Sequence, residues 1–365
     1  MNRNELLALK AELLCSGIRI APNALPALRF KNRYVLEKGF MHAAHFVIDD
    51  AIINTCVSEA FCVKSPYYIS CDNRGFVLYR SDDEEDEFIS AIDVLELPQW
   101  CEDNVDGYTI GDYIRPHSPG CIACWPYLIC DYYSNADQCK FCSMGDYRIR
   151  TRLSDAVVGK MIARALAYNP MYEIALSGGT CTKPDGSLVY FTSVCNKAVE
   201  AGATYISVET TPPEDLTRIN ELCEAGATAL IMNLEIADDI RRKEICPGKF
   251  SIPKQRYFDA FEHAVKVFGR GNVSSVLIAG LQPKKDIIDM GRNMTEIGVI
   301  PTIIPFKPLD GCLLSTMPPT NANELLEIAE TIDVLLRQNA LLVSAQRGCT
   351  KCNGCSVEAL CENRF

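Results

Sequence analysis

Residues 204–236 read TYISVETTPPEDLTRINELCEAGATALIMNLEI and contain the unit that decides the fold. Two apolar runs rich in β-branched residues, 204–209 and 228–236, predict strands, and the stretch 214–225 between them predicts a helix. Gly226 follows the helix and suits a left-handed cap before the next strand. A strand, a helix and a second strand in this order indicate two parallel strands joined by a helix.

The same alternation extends over residues 127–310. The segment EAGAT occurs at 200–204 and again at 224–228, each time where a helix should end. Five or six such units predict a parallel sheet covered by helices, and they favour a partial β/α barrel over a full eightfold one. A doubly wound sheet is the alternative, and both folds place chemistry at the C-terminal ends of the strands. Further strands are predicted at 173–177, 273–281 and 301–306, and further helices at 154–168, 190–201, 256–268 and 286–297.

Three segments are predicted. Residues 1–112 show short mixed strands without a regular strand–helix alternation, which predicts an N-terminal α+β region. We expect this region to cover the substrate site. Residues 113–318 form the barrel, and residues 319–365 form a C-terminal helix and a cysteine-rich tail. The acidic run 82–87 is predicted to be a solvated loop.

Composition restricts the class of protein. The formal net charge of −11 argues against a nucleic-acid partner, which requires a basic face. No run reaches the ~18 apolar residues of a membrane span, and the N-terminus lacks the pattern of a secretion signal, so we expect no membrane partner. The nineteen cysteines favour thiols that bind metal or pack in the core over disulfides, which predicts a cytoplasmic location.

Three cysteines are candidate metal ligands. Cys130, Cys139 and Cys142 have a C-x8-C-x2-C spacing, and thiolates in threes and fours suit an iron–sulfur cluster or zinc. Three ligands on a [4Fe–4S] cluster leave one iron open to bind a small molecule. Alternatively, Cys121 and Cys124 complete a four-thiolate zinc site with Cys139 and Cys142. The spacing alone leaves both interpretations open.

This cysteine loop resembles the signature of the radical S-adenosylmethionine (SAM) superfamily. In that superfamily three cysteines follow the first barrel strand, and an aromatic residue, here Phe141, precedes the last of them. The usual spacing is C-x3-C-x2-C, so the first gap is longer in this chain. The resemblance implies a biotin-synthase-like barrel in which Cys130, Cys139 and Cys142 hold a [4Fe–4S] cluster whose open iron binds SAM.

Residues at successive strand ends fit the resemblance in chain order. A Gly-Gly pair ends the second strand, where the superfamily has a Gly-Gly-Glu-like motif, although Thr180 replaces the glutamate. Taken singly, each of these residues also suits an ordinary turn or a solvated strand end. The resemblance implies that SAM is bound by Phe141, Gly178, Gly179, Thr180, Glu209, Asn233, Glu235, Gly280 and Ile304.

A narrower resemblance covers residues 125–357. The segment 246–281, which begins Cys-Pro-Gly-Lys-Phe, together with 305–308 and 348–355, is similar to the radical SAM family found in nitrilase-associated gene clusters. The similarity does not extend over residues 1–110. It implies no particular substrate.

The tail carries a second candidate metal site. Cys349, Cys352, Cys355 and Cys361 resemble a ferredoxin-type run with a fourth cysteine nearby, and an auxiliary [4Fe–4S] cluster is the predicted occupant. Zinc is the alternative, because paired C-x2-C units also build zinc ribbons. Cys312 is a further candidate for the fourth ligand. If Cys361 is not a ligand, this cluster also has an open iron.

The predicted function follows from the resemblance. We expect reductive cleavage of SAM at the three-cysteine cluster, with a one-electron donor such as ferredoxin or flavodoxin, and radical modification of a small-molecule substrate. Two alternatives stay open: modification of a peptide or protein, and a non-catalytic iron–sulfur or zinc scaffold. Cleavage that transfers the aminocarboxypropyl group is a minor variant.

Overall fold

The computed structural model describes residues 1–36, 43–81, 85–133, 136–144, 151–183, 185–343 and 345–362. The chain begins with helix α1 (Arg3–Ser16), whose start is fixed by a reciprocal cap. The Asn2 side chain accepts a hydrogen bond from the Glu5 amide, and the Glu5 carboxylate accepts one from the Asn2 amide. The apolar side chains of α1 are buried, so this helix packs into the body of the protein.

Residues 19–113 form the predicted mixed region. Its strands are short and form a four-stranded sheet, a three-stranded sheet and a hairpin. Asp86 and Glu87 were predicted to lie in a loop but instead begin a strand, where they pair with Ser81 and Arg80; residues 82–84 of the acidic run lie outside the described residues. The elements are β1 (Arg19–Ile20), α2 (Leu25–Lys31), β2 (Ala44–Ile48), β3 (Ala51–Thr55), β4 (Tyr67–Asp72), β5 (Gly75–Ser81), β6 (Asp86–Ala91), β7 (Asp93–Val94), β8 (Asn104–Val105), β9 (Tyr108–Thr109) and α3 (Ile110–Tyr113).

A curled sheet of seven strands in sequential order follows. The first two strands are antiparallel, and each later strand pairs in parallel with the one before it. Six parallel strands joined by helices confirm the predicted partial β/α barrel. The strands are β10 (Ile114–Ser118), β11 (Cys121–Cys124), β12 (Glu173–Leu176), β13 (Ile206–Glu209), β14 (Ala229–Ile231), β15 (Val273–Ala279) and β16 (Ile300–Pro305).

The first parallel strand differs from the prediction. An alternation that begins at residue 127 and cysteines that follow the first strand place that strand directly before Cys130, but it is β11, which contains Cys121 and Cys124. Strand β12 sets the register, because Ile122 and Ala123 pair with Ile174 and Ala175. The two upstream cysteines therefore belong to the sheet and not to the cysteine loop.

Helices cover the outer face of the sheet. Ser154 caps α4 by accepting a hydrogen bond from the Val157 amide, as predicted. The repeated EAGAT segments end α5 and α6 with Gly202 and Gly226 at φ +99° and +100°, in the left-handed region that glycine adopts without strain. The helices are α4 (Asp155–Tyr168), α5 (Leu188–Glu200), α6 (Thr217–Glu224), α7 (Asp239–Ile245), α8 (Pro247–Phe250), α9 (Lys254–Phe268) and α10 (Lys284–Ile297).

Strand β14 is shorter than its sequence predicts. The apolar run 228–236 predicted one strand, but regular pairing ends at Ile231. Beyond it, the Leu234 amide donates to the Ser275 hydroxyl, and Glu235 adopts a left-handed conformation with φ +67°. The chain therefore bends at the carboxyl end of the sheet, where apolar periodicity alone gives no sign of a turn.

The tail packs against both other segments. It consists of α11 (Ala322–Gln338), α12 (Gly348–Cys352) and α13 (Glu358–Glu362). The buried Lys10 ammonium of α1 donates to the Asn353 carbonyl oxygen at 2.7 Å, and one hydrophobic core includes residues of all three predicted segments. The boundaries 1–112, 113–318 and 319–365 therefore stay a prediction. Within the described part of the chain, no helix has both the length and the apolar character needed to cross a bilayer.

Candidate functional site: a cavity between two groups of cysteines

A cavity of about 460 Å³ lies inside the curled sheet. Cys130, Cys139 and Cys142 line it at the carboxyl end of the strands, where the Asp131 amide donates to the carbonyl oxygen of Thr180 beyond β12. Cys349 and Cys355 also line it. Their segment meets the opposite end of β12, because the Gly348 amide donates to the carboxylate of Glu173, the first residue of that strand. The two groups of cysteines thus lie towards opposite ends of one cavity.

The cysteine loop approaches β12 so closely that only glycine fits. A Cβ atom at Gly179 would lie 2.0 Å from the Ile129 carbonyl oxygen, and one at Gly178 would lie 2.7 Å from the Tyr127 ring. The Asp131 carboxylate fixes the same loop by accepting from the Thr182 amide and hydroxyl at 2.7 and 2.9 Å. Both glycines line the cavity, but their nearest neighbours are the cysteine loop and the ring beneath it.

The environment of the Cys142 thiol fits a metal ligand. Burial raises the pKa of Cys142 to about 12, so the protein alone disfavours its thiolate form. A bound iron would supply the positive charge that stabilises the thiolate. The Cys142 sulfur accepts a hydrogen bond from the Met144 amide at 3.4 Å, an arrangement that helps to hold a metal-bound sulfur.

The zinc alternative with Cys121 and Cys124 is wrong. A tetrahedral zinc ion with bonds of ~2.3 Å needs sulfurs only ~3.8 Å apart. Cys124 instead belongs to the main hydrophobic core next to Cys195 of α5, and Cys121 lies at the opposite end of the sheet from Cys139. These thiols do not converge on one ion.

Glu209 and Asn233 form one hydrogen-bonded unit at the ends of adjacent strands. The Asn233 amide donates to Glu209 Oε1 at 2.7 Å, and the Ser177 hydroxyl donates to Oε2 at 3.0 Å. Asn233 is itself fixed, because its Oδ1 atom accepts from the Val276 amide. Burial raises the pKa of Glu209 above its ordinary value, although the two donors partly offset this. All three side chains line the cavity, which holds a carboxylate ready for a polar ligand.

Glu235 pairs with a lysine that the sequence reasoning did not assign. The Lys249 ammonium donates to Glu235 Oε1 at 2.7 Å. Burial lowers the pKa of Lys249, but the Glu235 carboxylate outweighs this effect and raises it well above the ordinary value. Ligand atoms of Cys139, Glu235 and Cys246 lie within 4.8 Å of one another. In the sequence, Cys246 and Lys249 belong to the Cys-Pro-Gly-Lys run, which by itself indicates only a family resemblance and no ion pair.

The remaining predicted SAM residues divide into two groups. Phe141 and Ile304 pack with Cys139 in a small apolar cluster and line the cavity, as does Thr180. Gly280 does not lie among the lining residues; a Cβ atom there would lie 2.4 Å from the Thr320 hydroxyl oxygen. Gly280 therefore makes room for Thr320, whose hydroxyl donates to the carbonyl oxygens of Ala279 and Phe306.

The N-terminal region supplies part of the cavity wall. His45 of β2 and His117 of β10 are half-buried there in edge-to-face contact, with ring centroids 5.3 Å apart. Burial lowers the pKa of His45 to about 3 and that of His117 to about 4, so both rings are neutral near pH 7. The Nδ1 atom of His45 has no hydrogen-bond partner among the described residues. Isolated histidines without acidic neighbours gave no sign of this arrangement in the sequence.

The tail cysteines are divided by the structure. Cys349 and Cys355 line the cavity, and the Asn54 side-chain amide lies 3.9 Å from the Cys355 sulfur. The Cys352 sulfur lies beside the Ser118 side chain. Cys361, in contrast, is buried in the main hydrophobic core, and its carbonyl oxygen accepts from Arg337 of α11.

The middle of the chain is similar to known proteins. Residues 129–292 match the family model of the radical SAM superfamily. A bacteriochlorophyllide c C-7(1)-hydroxylase from Chlorobaculum limnaeum is 29% identical over 130 residues, which cover 35% of this chain and 32% of the hydroxylase. The chain thus matches about a third of that relative's length.

Two solved structures show partial likeness. HydG, a maturase of the [FeFe]-hydrogenase, aligns with a TM-score of 0.44 and 13% identity over 60% of this chain and 49% of HydG. The cobalamin-dependent radical SAM enzyme OxsB, with aqua-cobalamin and SAM bound, aligns with a TM-score of 0.37 and 14% identity over 70% of this chain and 36% of OxsB.

Proposed function

Because residues 129–292 place this chain in the radical SAM superfamily, we propose that it cleaves SAM reductively and modifies a small molecule by radical chemistry. Membership implies a [4Fe–4S] cluster and SAM as cofactors. Cys130, Cys139 and Cys142 would hold the cluster. The observation that supports this assignment is that these thiols and the polar residues Glu209, Asn233 and Glu235 face the same buried cavity.

The reduced cluster, when bound, supplies the electron that breaks a C–S bond of SAM and releases a 5′-deoxyadenosyl radical. The chain's own residues would bind and orient SAM. Glu209, held by Ser177 and Asn233, offers a carboxylate that accepts vicinal hydroxyls, and Glu235 offers a second one. Phe141 and Ile304 provide apolar surface next to Cys139. These contacts with SAM are part of the proposal.

The size and the walls of the cavity support a small-molecule substrate. His45, Asn54 and Leu97 of the N-terminal region wall it on one side, and the tail cysteines close its other end. Exclusion of water protects a reactive radical. Polar atoms in this wall, such as the buried His45 Nδ1, are available to a substrate that carries polar groups.

Several narrower predictions remain part of the proposal. A one-electron donor such as ferredoxin or flavodoxin would reduce the cluster. The tail would hold an auxiliary [4Fe–4S] cluster on Cys349, Cys352 and Cys355, and the nitrilase-associated family is the proposed subfamily. The nineteen cysteines, all in the described part of the chain, form no disulfide there. A reducing, cytoplasmic location is part of the proposal.

Anaerobic reconstitution followed by dithionite and SAM tests the proposed function. We expect 5′-deoxyadenosine, and we expect Cys142→Ala to abolish its formation. Cys195→Ala is the control, because Cys195 is a fully buried thiol that lies in the helix layer. Methylthioadenosine would indicate aminocarboxypropyl transfer, and the lack of any cleavage product would favour a non-catalytic scaffold.

A further inference from the structure

Strand β11 places a thiol at the tail end of the cavity. Alternate residues of a strand share a face, so Cys121 faces the same way as Ala123, which lines the cavity. Cys121 is the first residue of β11, and its side chain is buried. It therefore lies at the end of the sheet where the segment before Cys349 meets Glu173.

Both strand neighbours of Cys121 contact the tail. On one side Cys121 pairs with Ser118 of β10, whose side chain lies beside the Cys352 sulfur. On the other side it pairs with Glu173 of β12, whose carboxylate accepts from the Gly348 amide and from Arg347 Nε at 2.6 Å. The segment that carries Cys349 and Cys352 is thus held across the two residues that flank Cys121.

We propose that Cys121 is the fourth protein ligand of the tail metal site, with Cys349, Cys352 and Cys355. This inference rests on the auxiliary cluster of the proposed function, and it replaces Cys361 as the predicted fourth ligand. Cys361 packs in the main core at α13. Cys56, near Cys355, is a rival; it packs with Cys62, Phe61 and Leu309 in a separate apolar cluster.

The assignment changes what the tail cluster can do. Four thiolates complete the coordination of a [4Fe–4S] cluster, so no iron stays open for substrate. A closed site carries electrons or supports the fold, whereas an open one binds a ligand. Because Cys121 belongs to the same sheet that ends at the cysteine loop, the tail site would also tie the C-terminal segment to the first parallel strand.

The test uses full-length protein in which Cys130, Cys139 and Cys142 are all changed to Ala, so that the tail alone retains iron. We expect about four irons per chain in this background. Adding Cys121→Ala should lower the iron content and change the electron paramagnetic resonance spectrum of the reduced cluster. Cys121→Ser, which retains a possible oxygen ligand, should recover part of the iron. Cys124→Ala, on the opposite face of β11, should leave iron and spectrum unchanged and controls for damage to the strand.

The outcomes separate the two levels of the proposal. A background without iron would overturn the auxiliary cluster itself and the Cys121 assignment with it. A loaded background whose spectrum responds to Cys361→Ala or Cys56→Ala, but not to Cys121→Ala, would overturn only the assignment of Cys121. Zinc in place of iron, measured by metal analysis, would likewise overturn the auxiliary cluster.

Discussion

The Lys249 ammonium lies 2.7 Å from the Oε1 atom of Glu235, and the exposed fractions of the two side chains are only 13% and 10%. Glu235 holds a left-handed backbone conformation that is costly for a residue with a side chain. Gln282 stabilises it, because its side-chain amide donates to the carbonyl oxygens of Glu235 and Ile278 at 2.9 Å. A strained backbone and a buried ion pair beside Cys139 indicate a site built to hold charge at a fixed position.

We predict that Lys249→Met destabilises the protein by about 3 kcal/mol near pH 7, because it leaves the Glu235 carboxylate buried without its partner. The pKa of Lys249 is raised, so the contribution of the pair is fully present below about pH 10 and is lost only as pH rises through the folded-state value. The deficit should therefore stay the same from about pH 7 to about pH 9.

Urea unfolding across this pH range measures the effect of Lys249→Met. Lys197→Met removes an exposed lysine that pairs with Glu200 and should change little. A Lys249 variant as stable as the natural protein near pH 7 would contradict the role assigned to the buried pair.

Gly179→Ala should displace the cysteine loop. The added Cβ would meet the Ile129 carbonyl oxygen at 2.0 Å, a contact that backbone can relieve only by moving. We expect lower iron content and lost SAM cleavage in this variant. Gly202→Ala is the control, since a Cβ there meets open space and should cost only about 1–2 kcal/mol through its left-handed conformation. Iron analysis and thermal unfolding of both variants compare them, and a Gly179 variant with full iron would refute the steric argument.

The sequence predicted the repeating elements well and the local exceptions poorly. Periodic apolar runs and the two EAGAT segments located α4, α5, α6 and the strands they join, because helix ends at Gly202 and Gly226 follow local backbone rules. The end of β14 was missed, since the bend at Glu235 depends on a hydrogen bond that the Ser275 hydroxyl accepts from Leu234 and on one that Gln282 donates to Glu235. Both partners are distant in sequence.

The candidate site shows the same division. Cys139 and Cys142 were found because their spacing is local, and Glu209 was found because a resemblance assigned strand ends. Lys249 was missed because its role depends on an ion pair with Glu235, which lies fourteen residues earlier, before helix α7. Cys121 was considered for the wrong site, because the first parallel strand was expected six residues later. His45 and His117 belong to two different sheets, and their rings meet only in the folded protein.

We predict that Glu209→Gln makes the protein more stable at pH 8 but weakens SAM binding by roughly tenfold or more. Burial raises the pKa of Glu209, so its ionisation costs stability as pH rises above the ordinary carboxyl value. Glutamine removes that cost, and the gain should shrink as pH falls towards about 4.5. Chemical denaturation from pH 5 to 8 and anaerobic calorimetry with SAM test both parts.

Glu214→Gln is the control for Glu209→Gln, because Glu214 lies at the surface and pairs with Arg256. It should leave SAM affinity and the pH dependence of stability unchanged. A Glu209 variant that binds SAM as tightly as the natural protein would remove this carboxylate from the proposed SAM site.

Cys246→Ala should leave the first iron cluster intact, although the Cys246 sulfur lies within 4.8 Å of the Cys139 sulfur. The Cys246 thiol donates to a carboxylate oxygen of Glu235 at 4.0 Å, so we assign it to the Glu235 pair and not to the loop that would hold the first cluster. Cys139→Ala, the matched variant, should lose about four irons per chain and all SAM cleavage. If Cys246→Ala lost the same iron, four protein sulfurs would surround the cluster, and no iron would stay open for SAM.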